Sequence, residues 1–156
     1  MTDLNRKTLT LLGVLGSAAL ILGALGFQYI GGLYPCKLCY WQRYGHFAAM
    51  VFGALALFVP NRILLALAAL GAASSSVIAV FHTGVERKWW EGPTTCTGGP
   101  VGGLSADDLM NQIMNAPVIR CDEIPWQMFG LSMANYNILA SAGIAVVFAL
   151  AIRARP

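Results

Sequence analysis

Four long stretches of this chain carry no charged side chain, and that pattern constrains the fold more than any single motif. They run from Thr8 to Ile30, Tyr44 to Val59, Ile63 to Phe81 and Leu131 to Ile152, which is 23, 16, 19 and 22 residues. Crossing a hydrocarbon core of roughly 30 Å takes about 20 apolar residues of helix. At about 1.5 Å per residue the first run reaches roughly 34 Å and the second only about 24 Å, so the second borrows Tyr40 and Trp41 as interfacial anchors. Only 11% of the residues are charged and 57% are hydrophobic, whereas soluble domains carry roughly 25% charged residues. The expected fold is an all-α integral membrane protein: one domain over residues 1–156, a bundle of four transmembrane helices near 8–30, 42–59, 63–81 and 131–152. Membrane lipid is the expected surrounding, and no nucleic-acid partner is expected.

Arg6 and Lys7 precede the first run, as basic residues do in secretory signals. That run is longer than the 7–15 residues of a signal core, and no small-x-small cleavage site follows it before Gly31, so it reads as an uncleaved span. Gly16, Ala19, Gly23 and Gly26 form a ridge of small residues on it that suits close helix packing, and Ser74, Ser75 and Ser76 in the third run can hydrogen-bond a neighbouring helix.

The connections 31–43 and 82–130 lie on one side of such a bundle and the turn 60–62 on the other. Parity alone therefore places Cys36, Cys39, Cys96 and Cys121 on one side. Lysines and arginines divide evenly: Arg6, Lys7, Arg62, Arg153 and Arg155 against Lys37, Arg43, Arg87, Lys88 and Arg120. Density breaks the tie, since the first five sit on short tails and a tight turn, which marks that side as cytoplasmic. Both termini are then cytoplasmic and the cysteines face an oxidising exterior, where disulfides persist.

The second long connection is expected to hold an irregular, mobile segment over Trp89–Gly103, followed by a short helix lying on the membrane surface. Ser105 and Asp108 supply its capping box, Ala106, Leu109, Met110, Ile113 and Met114 its apolar face, and Pro117 its end. Trp89, Trp90 and Trp126 are expected to anchor at the interface.

The stretch "PCKLCYWQR" carries the chemistry. A Cys-x-x-Cys loop is too short for a disulfide to remove much chain entropy, so Cys36 and Cys39 read as a working dithiol or a metal site. Cys96 and Cys121 differ: a bond between them would close a loop of 26 residues, worth about 3.5 kcal/mol in the chain-entropy model, so a structural bridge stays open for that pair. Zinc held by all four cysteines is a further reading, although a second short cysteine knuckle is missing. Cys39 leads into the second span, where the helix N-terminus favours a thiolate. Arg43 and His46 follow it by four and seven residues, on the face below it. Arg43 can stabilise the thiolate or the negative charge developing on an acceptor dissolved in the membrane. Two dithiol pairs beside a bilayer suggest a thiol–disulfide relay ending on a two-electron acceptor such as a lipid-soluble quinone.

"PCKLCYWQR", His82 at the end of the third run, the cysteine in "GPTTC", and "CDEIPWQMFGLSM" before the last run together resemble the DsbB family of bacterial inner-membrane proteins, over nearly the whole chain. That resemblance implies a protein-dithiol:quinone oxidoreductase that reoxidises a DsbA-like periplasmic thiol oxidase. It implies that quinone oxidises Cys36 and Cys39, that Cys39 is the thiolate meeting the ring, and that Arg43 supports it, with His82 nearby; His46, by its spacing from Cys39, is a further candidate to face the quinone. It further implies that Cys96 captures the partner as a mixed disulfide and that Cys121 is its mate in the resting bond. Ubiquinone is expected ahead of menaquinone, the location is the bacterial inner membrane with the cysteines periplasmic, and no metal is expected. The rival readings are a four-span protein with a structural disulfide or zinc site, and a related thiol oxidoreductase with another partner.

Overall fold

The computed structural model describes residues 5–93, 105, 110 and 119–154. Four long helices form its frame: α1 (Arg6–Tyr29), α2 (Lys37–Phe58), α3 (Arg62–Glu86) and α4 (Met133–Arg153). Three of them, α1, α3 and α4, are long and apolar enough to cross a membrane. The second helix is as long, but it opens with Lys37 and Arg43 in its first two turns. Leu22, Leu70, Val77 and Leu139 are each about two-thirds exposed on the outside of the frame. Large apolar side chains in that number suit a surface solvated by lipid.

Each helix begins where a side chain can take up an orphan N–H. Asn5 Oδ1 accepts from Thr8 N at 2.8 Å, Asn61 Oδ1 from Ile63 N at 2.8 Å and Ser132 Oγ from Asn135 N at 3.4 Å. At the far end of α4, Arg6 closes the bundle: its Nη2 donates to Ala154 O at 2.9 Å and its Nε to Ala151 O at 3.3 Å. These are terminal carbonyls at the negative end of the helix dipole, a natural seat for a cation.

Three of the departures of helix ends from the bounds of the uncharged runs have a visible cause. The second helix starts at Lys37, because Cys36 caps it. The third continues through His82 to Glu86, where both side chains find buried partners. Leu131 and Ser132 are not helical: they pair antiparallel with Gln127 and Met128 as strands β2 and β1. The two-residue turn between them has Phe129 and Gly130 at φ of 51° and 75°, the left-handed pair that a tight hairpin of this hand requires. The frame is thus helical with one small hairpin leading into α4.

Small residues set the interhelical spacing. A Cβ on Gly45 would lie 2.6 Å from Gly71 O, so α2 and α3 touch backbone to backbone. Phe148 of α4 is fully buried, its ring lodged where Gly13 and Gly53 lack side chains: a Cβ there would come within 2.6 and 3.0 Å of it. Leu9, Ala49, Leu65, Ala68, Ala72 and Ala151 form one buried core with that ring. The ridge on α1 divides: Gly16 meets Ile144, whereas a Cβ on Gly23 or Gly26 would touch nothing within 4 Å. Ser76 Oγ donates to Ile138 O at 3.0 Å, and Ser75 is fully buried, so this serine run does knit α3 to α4.

Candidate active site

The site forms where α2 begins and α3 ends. Cys36 is the N-cap of α2, its sulfur accepting from Cys39 N at 3.3 Å. An anionic sulfur in that position faces the positive end of the helix dipole. The Cys36 and Cys39 sulfurs lie 3.0 Å apart, beyond the roughly 2.05 Å of a disulfide bond. They share one proton unequally. The hydrogen bond that Cys36 donates to Cys39, together with burial, pushes the Cys36 thiol up from its ordinary value, against the lowering pull of His82. The hydrogen bond from Cys36 outweighs burial and holds Cys39 down, with help from the Cys36 backbone and the charge of Arg43. Cys39 is therefore the thiol that ionises first.

From α3, His82 brings Nε2 to 3.6 Å from Cys36 Sγ. The same nitrogen lies 3.9 Å from Glu86 Oε1, one turn further on. Glu86 is a buried carboxylate whose Oε2 accepts from Ser132 Oγ at the start of α4. The other ring nitrogen, Nδ1, lies 3.0 Å from Gln42 Nε2. Cys121 completes the cluster: it is buried with Cys36, Leu38 and Val85, next to Cys39, and its backbone hydrogen-bonds His82. A Cβ on Gly92, four residues before Cys96, would lie 3.7 Å from Cys121 Cβ, so Gly92 sits beside Cys121. Cys96 itself lies outside the described residues, as does the expected surface helix apart from Ser105 and Met110.

A cavity of about 50 Å³ opens beside the dithiol, lined by Tyr34, Cys36, Cys39, His82, Glu86 and Trp126 among others. Trp126 packs on Phe27 and Tyr136, and Trp90 stacks on Phe81 while donating to Phe81 O at 2.8 Å.

The cations have separate partners. Arg43 Nη1 donates to Gln28 Oε1 at 2.6 Å and Nη2 to Ala24 O at 3.3 Å, fastening α2 to α1, and its guanidinium faces the Tyr40 ring. Lys37, between the two cysteines, holds Nζ 5.5 Å from the centre of the Trp41 ring.

Of the residues singled out in the sequence, the fold brings Cys36, Cys39, Cys121 and His82 together and sets Arg43 one turn below Cys39. It places His46 elsewhere. That ring lies in the bundle interior against Ser17, Ser141 and Asn137, at 3.3, 3.0 and 3.4 Å. Gln42, Glu86, Ser132 and Asn137 join the site without having been singled out in the sequence, although Gln42 and Ser132 lie within the two quoted stretches. The available hint was polarity at helical spacing: Gln42 lies three residues after Cys39, and Glu86 four after His82.

Cys36, Cys39 and His82 offer three donor atoms within 4.8 Å of one another, enough to hold a soft cation as well as to exchange electrons. The comparisons with known proteins bear on that choice. Residues 6–151 match the family model described as "Disulfide bond formation protein DsbB". The chain belongs to the DsbB family. Among proteins named "Disulfide bond formation protein B", one from Methylococcus capsulatus is 33% identical over 156 residues, covering 92% of each chain. One from Shewanella sp. strain MR-4 is 32% identical over 142 residues, covering 86% of this chain and 81% of its own, and one from Stutzerimonas stutzeri is 28% identical over 157. No solved structure matches the chain. DsbB membership makes it a membrane protein of disulfide formation, an oxidoreductase role for which a buried, unequally protonated dithiol is suited.

Proposed function

We propose that this DsbB-family protein oxidises a DsbA-like periplasmic thiol protein and passes the electrons to a membrane quinone. In this reading α2 is the fourth span, both termini are cytoplasmic, and the site opens to the periplasm of a bacterial inner membrane. The observation that carries the proposal is the meeting of Cys36, Cys39 and Cys121 beneath His82, with Arg43 one turn deeper.

Cys96 takes the attack of the partner's thiolate, and its bond to Cys121 breaks as the mixed disulfide forms. Cys121, released as a thiolate beside the dithiol loop, attacks Cys36 of the Cys36–Cys39 disulfide, and Cys39 leaves as a thiolate. The partner's second thiol resolves the mixed disulfide and frees Cys96, which attacks Cys121, breaks the Cys121–Cys36 bond and releases Cys36 as a thiolate. The result is an oxidised partner and a reduced Cys36–Cys39 pair. That pair then forms its S–S bond again, losing two electrons and two protons.

A quinone, ubiquinone ahead of menaquinone, would supply the two-electron acceptor when bound. The donor set suits such a ring: a guanidinium at the α1–α2 seam facing Tyr40, with an imidazole and two sulfurs at the start of α2. Cys39 supplies the electron-rich sulfur, Arg43 offsets negative charge developing on a carbonyl oxygen, and His82 holds Cys36.

The test is quinone reduction by the purified protein with a reduced DsbA-like partner. Turnover that disappears on replacing Cys36, Cys39 or Cys96 by Ala supports the relay, and undiminished turnover in any of the three sinks it. A second reading follows from the three clustered donor atoms: zinc held by Cys36, Cys39 and His82, with Glu86 in reach. Stoichiometric zinc in the purified protein, without quinone reduction, would favour it.

A further inference from the structure

A chain of polar side chains runs through the bundle interior from α1 to the dithiol, and the mechanism above uses only its last member. Its direction can be read from groups that have one role. Leu38 O can only accept, and the Gln42 amide atom 3.2 Å from it is therefore the NH₂ group. The same Nε2 lies 3.0 Å from His82 Nδ1, which must then be a bare acceptor. A neutral ring with bare Nδ1 carries its proton on Nε2, the nitrogen 3.6 Å from Cys36 Sγ.

Upstream the logic repeats. Gln42 Oε1 accepts from Asn137 Nδ2 at 2.7 Å, which turns Asn137 Oδ1 toward Ser141 Oγ at 2.8 Å. Ser141 Oγ, having donated, accepts from His46 Nε2 at 3.0 Å, and His46 Nδ1 accepts from Ser17 Oγ at 3.3 Å. All six links point one way, across all four helices. Ser17, Ser141, His46, Gln42 and His82 are each buried. Among the described residues no buried side-chain polar atom lacks a partner.

We propose that Gln42 and Asn137 are positioning residues that lock His82 in the tautomer with its proton on Nε2, so that it donates to Cys36 Sγ. Side-chain amides orient protons but do not pass them on, so the chain fixes geometry and is not a proton wire. Aligned bonds of low local dielectric reinforce one another, and a polar residue buried at membrane depth tends to serve function. The inference deepens the relay reading and rests on it for its purpose, but the lock can be observed without turnover.

The chain has two histidines, so the reduced full-length protein labelled with ¹⁵N-histidine gives two imidazoles to resolve, assigned by loss of one in His82→Gln. At a pH where both are neutral, His82 should carry its proton on Nε2. In Gln42→Glu the carboxylate can only accept, and the proton should move to Nδ1. Should that variant fail to fold, Gln42→Met and Asn137→Leu serve, each expected to leave His82 as a mixture of tautomers. Peptide-resolved alkylation of Cys36 should slow on the order of tenfold in Gln42→Glu, where a bare Nε2 no longer donates to the sulfur, and by less in Gln42→Met, where the tautomers mix. A proton on Nδ1 in the unaltered protein, the same tautomer in every variant, or an unchanged Cys36 rate would overturn the lock. A correct tautomer with no quinone reduction would instead count against the relay alone.

Discussion

Substituting Gly45 by Ala should separate the two helices that carry the active site. A methyl group at position 45 would lie 2.6 Å from Gly71 O and 3.0 Å from Ser75 Cβ, whereas ordinary contact begins at 3.4 Å. Both atoms are fixed to the α3 backbone, so relief requires the helices to part by about 0.8 Å, an overpacking strain of about 1–3 kcal/mol. At about 2–4 °C per kcal/mol for a chain of this size, the melting temperature falls by several degrees. The same displacement acts up the helix, one turn away at Gln42 and about two and a half turns away at Cys36. The Gln42–His82 bond, now 3.0 Å, and the His82–Cys36 contact, now 3.6 Å, both stretch out of hydrogen-bonding range. Losing a hydrogen bond to a charged group lowers turnover on the order of tenfold or more. Thermal unfolding in detergent and quinone reduction read the two effects, with Gly23→Ala as the control because a Cβ there meets nothing within 4 Å. If Gly45→Ala melted and turned over like Gly23→Ala, the backbone contact would not set the spacing of the site.

Three other outcomes are expected. Peptide-resolved alkylation of the reduced protein against pH should show Cys39 reacting first as pH rises, half-maximal below the ordinary thiol value of about 8.5, and Cys36 above it. The sign follows from Cys39 being held down by the hydrogen bond from Cys36 and Cys36 being pushed up by the same bond; the reverse order would contradict the shared proton. Phe148→Ala should cost about 3–5 kcal/mol, because the ring is fully buried and the Gly13 and Gly53 backbones cannot collapse into its place; a denaturation midpoint equal to the parent's would refute this. Ser132→Ala removes the hydroxyl that donates to buried Glu86, and should lower stability by about 1–3 kcal/mol, measurable in the same unfolding assay.

The fold was legible wherever one signal dominated. Uncharged runs located the four helices, and "PCKLC" ahead of an apolar run located a dithiol at a helix N-terminus. Helix ends were not, because charge was the ruler. Lys37 and Arg43 excluded the first turns of α2 from the uncharged run, yet a capping sulfur and partners on Trp41 and Gln28 hold them in the helix. The hairpin before α4 depends on Phe129 adopting a backbone conformation that its residue type does not announce. Within the site, Cys36, Cys39, Cys121 and His82 could be read from cysteine spacing and family resemblance. Gln42 and Asn137 could not, since a neutral amide gains meaning only from what lies opposite it on another helix. His46 shows what one helix read alone leaves out. Its spacing from Cys39 put it on the face below the dithiol, but its partners are Ser17 on α1 with Ser141 and Asn137 on α4.

The most direct test of the account is a single turnover without any partner protein. Fully reduced protein, mixed anaerobically with one equivalent of ubiquinone and then alkylated and digested, should yield quinol and a disulfide mapped to Cys36 and Cys39, with neither product in Cys39→Ala. Unreduced quinone, or quinol formed while Cys36 and Cys39 both remain open to alkylation, would contradict the claim that this dithiol hands electrons to the membrane.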